Sequence, residues 1–130
     1  MPSSTLARPI LVVDDDPTIL ATVSETLDLE GYPVLTATNG AEALQAIQRE
    51  PVALVLLDMR MPVLDGWGFI REVRQRGLNP IVIVMTATAD ARRWAVEIGA
   101  QGVLAKPFDL DELIAEVQRL DPNSPGPPLG

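Results

Sequence analysis

The chain has 130 residues, near the usual size of one domain, so we expect a single hydrophobic core. It contains neither cysteine nor histidine, which excludes disulfides, zinc–thiolate sites, thiolate nucleophiles and any mechanism that needs an imidazole base. The net charge of −8 disfavours direct binding to nucleic acid through phosphate contacts.

Five short apolar runs, separated by segments with helical spacing, predict an alternation of strands and helices. The runs lie at 10–13, 33–37, 52–57, 81–85 and 103–105. The first, third and fourth are almost continuously apolar, as parallel strands buried on both faces are. Between the runs, apolar residues such as Ile19, Val23 and Leu27 recur at the spacing of one helix face. The pattern predicts an α/β domain with a mainly parallel sheet.

Residues that commonly begin or end helices agree with this division. Asp16 and Pro17 are typical of an N-cap followed by the first helical residue. Asp109 and Glu112 have the spacing of a capping box at the start of the last helix. Asp65-Gly66 is typical of a loop that leads into a helix. Helices are expected to end at three glycines, Gly31, Gly77 and Gly99.

The two ends of the chain differ in composition from the middle. We predict an N-terminal tail at 1–8, one folded domain at 9–120, and a disordered tail or linker at 121–130, where proline and glycine predominate. No apolar run approaches the roughly 18 residues of a membrane span. The first residues also lack the apolar region of a secretory signal. We therefore expect a cytoplasmic protein that does not associate with membranes.

Polar residues follow four of the five predicted strands. They are Asp14 and Asp15 after the first strand, Asp58 after the third, Thr86 after the fourth and Lys106 after the fifth. Because the carboxyl ends of parallel strands meet at one edge of a sheet, we expect these side chains to lie together. Clustered carboxylates repel one another unless a cation lies among them, and Mg²⁺ prefers oxygen ligands. The sequence therefore predicts a magnesium site at this edge.

In this arrangement the chain resembles the receiver domain of two-component response regulators. The resemblance covers roughly residues 9–120. It rests on Asp14-Asp15, on Asp58 with MRMP and Asp65-Gly66 after it, on Thr86-Ala87, and on Lys106-Pro107-Phe108. It implies a flavodoxin-like, doubly wound (βα)5 fold with a five-stranded parallel sheet in the order 2-1-3-4-5. It also implies a cis peptide bond between Lys106 and Pro107.

The resemblance further implies a signalling switch operated by phosphorylation. Asp58 would accept a phosphoryl group from a phosphohistidine on a separate histidine kinase or phosphotransfer protein. Mg²⁺, or Mn²⁺ in its place, would be held by Asp15, Asp58, the backbone carbonyl of Arg60, and Asp14 directly or through a water. The groups that contact the phosphoryl group would be Thr86, Ala87 and Lys106. Such a domain assists its own phosphorylation and dephosphorylation but is not an enzyme that turns over a substrate.

The resemblance also implies residues that control how long the phosphoryl group persists. By resemblance, Arg60 and Thr88 influence the lifetime of the phosphoryl group.

The face that would contact an output partner departs from the family pattern. The third position before Lys106 is often aromatic in this family, with a rotamer that changes with phosphorylation, but here it is Val103. A small β-branched side chain cannot make that movement. We expect the aromatic read-out on the output face to be missing, or to be taken over by Trp94.

Alternative functions fit part of the same sequence. Asp14-x-Asp16-x-Thr18 matches the opening motif of haloacid-dehalogenase-type phosphatases, with Asp14 as the nucleophile, but this leaves Asp58 unexplained. An interaction module that works without phosphorylation is disfavoured by the complete set of acidic, hydroxyl and ammonium groups. A flavodoxin-like electron carrier would need a phosphate-binding loop after the first strand, and none is present. Asp16 itself is expected to be only a helix cap.

Overall fold

Five parallel strands and five helices alternate along the part of the chain that the computed structural model describes, residues 8–86 and 89–121. The strands are β1 (Ile10–Val13), β2 (Val34–Ala37), β3 (Leu54–Leu57), β4 (Ile81–Thr86) and β5 (Gly102–Ala105). The helices are α1 (Pro17–Leu29), α2 (Gly40–Arg49), α3 (Gly66–Gln75), α4 (Ala91–Ile98) and α5 (Leu110–Leu120). The strand order is β2-β1-β3-β4-β5, with every neighbouring pair parallel. The predicted fold class is therefore confirmed.

Helices cover both faces of the sheet, which explains the continuously apolar strands. In β1, Leu11 and Val13 face a core shared with α2, α3 and α4, whereas Ile10 and Val12 face a second core shared with α1 and α5. All four side chains are buried. Burial of side chains of this size contributes about 1.5–3 kcal/mol each, so the two cores together fix the register of the strands.

The predicted helix ends are confirmed by their hydrogen bonds and dihedral angles. The Asp16 carboxylate accepts the N–H of Thr18 at 2.9 Å, as an N-cap does. Asp109 and Glu112 make both halves of a capping box. Each of the three glycines has a positive φ, of 93° at Gly31, 75° at Gly77 and 68° at Gly99. The implied cis peptide bond between Lys106 and Pro107 is also present.

The ends of four strands differ from the apolar runs in the sequence: β2 begins one residue later than its run, β5 begins one residue earlier, and β3 and β4 differ as follows. β3 begins at Leu54 rather than at residue 52, because the ladder with β1 starts where Leu54 pairs with Ile10. The preceding Ala53 instead donates its N–H to the carbonyl of Pro9 at 2.9 Å. β4 extends by one residue and includes Thr86.

The predicted terminal segments, 1–8 and 121–130, lie outside the described residues except for Arg8 and Asp121. The domain boundaries therefore stay a prediction. Within the two described stretches, none of the helices combines the length and the apolar character needed to cross a membrane.

Val63, in the loop between β3 and α3, has a backbone conformation that valine rarely adopts. Its φ is 71° and its side chain is 80% exposed. A β-branched residue in this left-handed region is strained, by about 1–3 kcal/mol, whereas asparagine tolerates it. Val63→Asn should therefore raise the free energy of unfolding by about 1 kcal/mol in a urea titration.

Val96 provides a matched control for this substitution. It is 81% exposed but lies within helix α4. Val96→Asn removes the same apolar surface without relieving strain, and should leave stability nearly unchanged. Equal stabilisation by both substitutions would show that exposed apolar surface, and not the backbone of Val63, is responsible.

Candidate functional site

Three aspartates meet where β1 and β3 end. Val13 pairs with Leu57 in the register of these strands, and the N–H of Asp58 donates to the carbonyl of Val13 at 2.9 Å. One carboxylate oxygen from each of Asp14, Asp15 and Asp58 lies within 4.8 Å of the other two. Asp14 and Asp58 are buried, whereas Asp15 is exposed. The structure thus gathers the predicted acidic residues into one cluster with an open side.

Lys106 lies between two of these carboxylates. Its Nζ is 2.6 Å from Oδ2 of Asp14 and 3.8 Å from Oδ2 of Asp58. Its backbone N–H donates to the carbonyl of Thr86 at 2.8 Å, which holds the end of β5 against the end of β4. The other oxygen of Asp14 accepts the N–H of Asp16 at 2.9 Å. The lysine therefore balances part of the charge of the cluster, and both oxygens of Asp14 have partners.

The environment of Asp58 opposes its ionisation. Burial raises the pKa of Asp58 from the usual 3.8 to about 6, and the carboxylates of Asp14 and Asp15 act in the same direction. Lys106, and the Arg60 N–H that donates to Oδ1 of Asp58 at 3.3 Å, lower this pKa but do not outweigh burial. A cation or a covalent bond at Asp58 would relieve this penalty.

The donor set fits a hard divalent cation. Carboxylate oxygens at one open edge are the ligands that Mg²⁺ and Mn²⁺ prefer, and such ions usually keep several waters on the solvent side. Asp15 faces that side, and Asp58 is a buried acid whose pKa is raised by burial, so a cation beside it would favour its ionised form. Asp14 is already paired with Lys106, so it is the least available of the three as a direct ligand.

Comparison with known proteins identifies the protein family to which a chain with this acidic cluster belongs. The family model described as "Response regulator receiver domain" matches residues 10–118. The chain belongs to this family.

Relatives and solved structures agree with this assignment. The receiver domain is 41% identical over 113 residues to the transcriptional regulatory protein PrrA of Mycobacterium tuberculosis, covering 85% of this chain and 48% of that protein. It is 42% identical over 111 residues to the probable transcriptional regulator ycf27 of Pyropia yezoensis, covering 84% of this chain and 45% of that protein. The chain thus spans about half the length of the curated relatives it matches.

Two solved structures have the same fold. The chemotaxis response regulator CheY4 of Vibrio cholerae has a TM-score of 0.80 at 32% identity, covering 88% of this chain and 98% of that chain. The response regulator TrrA from Thermotoga maritima, solved in complex with Mg²⁺-BeF, has a TM-score of 0.77 at 36% identity, covering 87% of this chain and 98% of that chain.

The alternative functions are not favoured in this receiver domain. A phosphatase with Asp14 as nucleophile would need an accessible carboxylate, but Asp14 is 0% exposed and both of its oxygens are engaged. Asp16, the second acid of that motif, caps α1. The complete acidic cluster with Lys106 also argues against a module that works without phosphorylation.

The loop after Asp58 is held close to the site by a glycine. The N–H of Gly66 donates to the carbonyl of Met59 at 3.1 Å. A Cβ at Gly66 would lie 2.8 Å from the Cα of Met59, so a larger residue would push the loop away. The Asp65-Gly66 pair, predicted as a loop and helix start, does begin α3, since the Asp65 carboxylate accepts the N–H of Gly68 at 2.8 Å.

An aromatic cluster, formed by Trp67 of α3 and Trp94 of α4, lies beyond this loop. The two rings are edge-on, with centroids 4.9 Å apart. The guanidinium carbon of Arg60 lies 5.1 Å from the centroid of the Trp94 ring. Sequence reasoning missed these contacts, because each tryptophan fits an ordinary packing position on its own helix. Trp94 is 6% exposed.

The remaining predicted residues are placed as follows. Val103 is half-buried in β5, and its N–H donates to Oε2 of Glu116 at 3.2 Å. Thr86 is buried at the end of β4. Ala87 and Thr88, predicted to contact the phosphoryl group and to influence its lifetime, lie outside the described residues.

Proposed function

We propose that this receiver domain is a phosphorylation-operated switch in which Asp58 accepts a phosphoryl group from a phosphohistidine of a histidine kinase or phosphotransfer protein. The observation that carries the proposal is the setting of Asp58. It is 5% exposed, lies among two other carboxylates, and has Nζ of Lys106 at 3.8 Å. Burial and neighbouring charges shift the pKa of this carboxyl group, as is common at functional sites, and the lysine beside it favours the ionised form that a nucleophile needs.

The chemical step is a transfer from nitrogen to oxygen. A carboxylate oxygen of Asp58 forms a bond to phosphorus while the phosphorus–nitrogen bond of the donor breaks. The electron pair of that bond returns to the donor's imidazole ring. The product is an acyl phosphate on Asp58. Because the attacking group is the carboxylate anion, a cation that lowers the raised pKa of Asp58 would favour the transfer.

The ammonium group of Lys106 and the backbone N–H of Arg60 lie at the two oxygens of Asp58. Lys106 lies near Oδ2 of Asp58, where it would oppose the charge that develops on the phosphoryl oxygens. The Arg60 N–H holds Oδ1. Thr86, Ala87 and Lys106 are proposed to contact the phosphoryl group, and Arg60 and Thr88 to influence its lifetime.

We assign the divalent cation to Asp15, Asp58 and the backbone carbonyl of Arg60. Asp14 would act through a bound water, since its own oxygens are engaged by Lys106 and by the N–H of Asp16. When bound, Mg²⁺, or Mn²⁺ in its place, neutralises charge on the carboxylates and on the phosphoryl oxygens. TrrA, which is 36% identical, was solved with Mg²⁺-BeF, and this supports the assignment.

Further proposals concern the setting of the domain. The chain is proposed to be cytoplasmic, to comprise a receiver domain at 9–120, and to signal to an output partner without itself contacting nucleic acid, given its net charge of −8. It would stop after a single acyl phosphate and so would not be an enzyme with turnover.

The test is phosphoryl uptake from phosphoramidate in the presence of Mg²⁺, recorded by intact mass. The wild type should gain one phosphoryl group, and Asp58→Asn should gain none because the amide is not a nucleophile. Asp16→Asn is the matched control: Asp16 is exposed, and asparagine also caps helices, so uptake should persist. Uptake by Asp58→Asn, or repeated consumption of the donor, would contradict the proposal.

A further inference from the structure

Arg60 touches the proposed acceptor at one end and helix α4 at the other. Its backbone N–H donates to Oδ1 of Asp58 at 3.3 Å, and its guanidinium carbon lies 5.1 Å from the Trp94 centroid. Arg60 is exposed, whereas Trp94 is 6% exposed. Arg60 therefore links the site, through its backbone N–H, to the helix that follows β4, through its side chain.

The guanidinium of Arg60 has no carboxylate partner among the ion pairs of the described residues. Three arginines do pair with an acid on their own helix or at its cap: Arg76 with Glu72, Arg93 with Asp90 and Arg119 with Glu116. The guanidinium of Arg60 instead contacts the face of the Trp94 ring. A cation–π contact near the surface is weaker than a hydrogen bond between two charged groups. A phosphoryl group on Asp58 would therefore compete successfully for this guanidinium.

We infer that Arg60 is a positioning residue that transmits phosphorylation of Asp58 to α4, by leaving the ring of Trp94 to pair with the phosphoryl oxygens. The inference rests on the proposed function. It supplies the read-out that Val103 cannot give, since Val103 has no aromatic ring to move.

The proposed movement of the Arg60 side chain would affect a groove between α3 and α4. Trp94 packs edge-on against Trp67, whose Nε1 donates to Oε1 of Glu97 at 3.4 Å. Trp67 and Glu97 line this groove, which has a volume of about 460 Å³ and also includes Arg71. If Arg60 leaves, one face of the Trp94 ring is uncovered. Because Trp94 packs against Trp67, and Trp67 lines the groove, the change reaches the groove wall. The signal would leave the site through α3 and α4.

Intrinsic fluorescence reports on this cluster, because Trp67 and Trp94 are the two tryptophans of the chain. Emission and intact mass are recorded on the same samples, with phosphoramidate and Mg²⁺, and the emission change is expressed per phosphoryl group incorporated. The wild type should show a change in step with uptake. In Arg60→Gln, which keeps the backbone N–H and carbonyl, that change should be lost. The emission of Arg60→Gln before phosphorylation should already resemble that of the phosphorylated wild type.

Arg92→Gln is the matched control, since it removes an exposed arginine two residues before Trp94 on another face of α4. It should keep the wild-type change. A second test does not alter the site: Trp94→Phe should lose most of the change and Trp67→Phe should keep it.

The outcomes separate the two proposals. No uptake by the wild type would overturn the proposed function, and this inference with it. Uptake with unchanged emission would overturn the inference alone. So would a change of equal size in Arg60→Gln, or in Trp94→Phe.

Discussion

In metal-free buffer at about pH 7.5, Asp58→Asn should raise the free energy of unfolding by on the order of 2 kcal/mol. The substitution that abolishes phosphoryl uptake should therefore stabilise the fold. Asp58 is 5% exposed, and burial is the largest of the effects that raise its pKa to about 6. The ionised form is penalised in the folded protein, and the neutral amide avoids that penalty.

The sign of the pH dependence follows from the same shift. The folded pKa of about 6 lies above the usual 3.8, so the folded protein binds this proton more tightly than the unfolded chain. The stability that this proton contributes is fully present below pH 3.8 and is lost as the pH rises through about 6. The advantage of Asp58→Asn should accordingly be small at low pH and fully developed above pH 6.

Urea titrations with a chelator at about pH 4.5 and about pH 7.5 measure this difference. Asp28→Asn is a matched control, because Asp28 is an exposed residue of α1 away from the cluster. It makes the same change in net charge and should alter stability by less than about 0.5 kcal/mol. Equal stabilisation by Asp58→Asn at both pH values would mean that ionisation of Asp58 is not the cause. Adding Mg²⁺ should stabilise the wild type more than Asp58→Asn.

Features that depend on local chemistry, or on the regular geometry of the sheet, were predictable from the sequence. The Asp16 cap and the capping box of Asp109 and Glu112 need only neighbouring residues. The meeting of Asp14 with Asp58 needs only that parallel strands end at one edge, since both acids directly follow β1 and β3. Hydrophobic runs therefore predicted the position of the acidic cluster as well as the fold.

Features that depend on distances between elements were not predictable in the same way. The sequence correctly predicted that Lys106 lies at the edge where the carboxyl ends of the strands meet. Its 2.6 Å contact with Asp14, however, depends on how the end of β5 lies against β4. The contact of Arg60 with Trp94 joins a loop to a helix that follows a different strand. The left-handed backbone of Val63 contradicts the preference of valine, so local propensity argued against it. Packing of the whole domain decides all three.

Removing the ammonium group of Lys106 should destabilise the fold, whereas removing the charge of Asp58 should stabilise it. Lys106→Met should lower the free energy of unfolding by about 3 kcal/mol in metal-free buffer at about pH 7.5. Nζ of Lys106 lies 2.6 Å from a carboxylate oxygen of Asp14, whose side chain is 0% exposed. Methionine fills much of the same space but leaves that buried charge with only the N–H of Asp16. It also removes the cation that lowers the pKa of Asp58.

A second ion pair of the same length shows what decides the size of this effect. Nη1 of Arg76 also lies 2.6 Å from a carboxylate oxygen, that of Glu72, but both side chains are 38% exposed. Water can solvate Glu72 when its partner is removed, so Arg76→Met should lower stability by less than about 1 kcal/mol. Equal losses in Lys106→Met and Arg76→Met would show that burial of Asp14 does not set the strength of its contact.

The double substitution Asp14→Asn with Lys106→Met separates loss of the pair from loss of packing. It removes both charges, so most of the lost stability should return, as it does when a buried ion pair is replaced by neutral groups. If the double variant is as unstable as Lys106→Met alone, the lysine stem and not its charge supports the fold. If stability returns, a neutral pair supports the fold as well as the ion pair does. The charge of Lys106 would then serve the chemistry at Asp58, 3.8 Å away, rather than the fold.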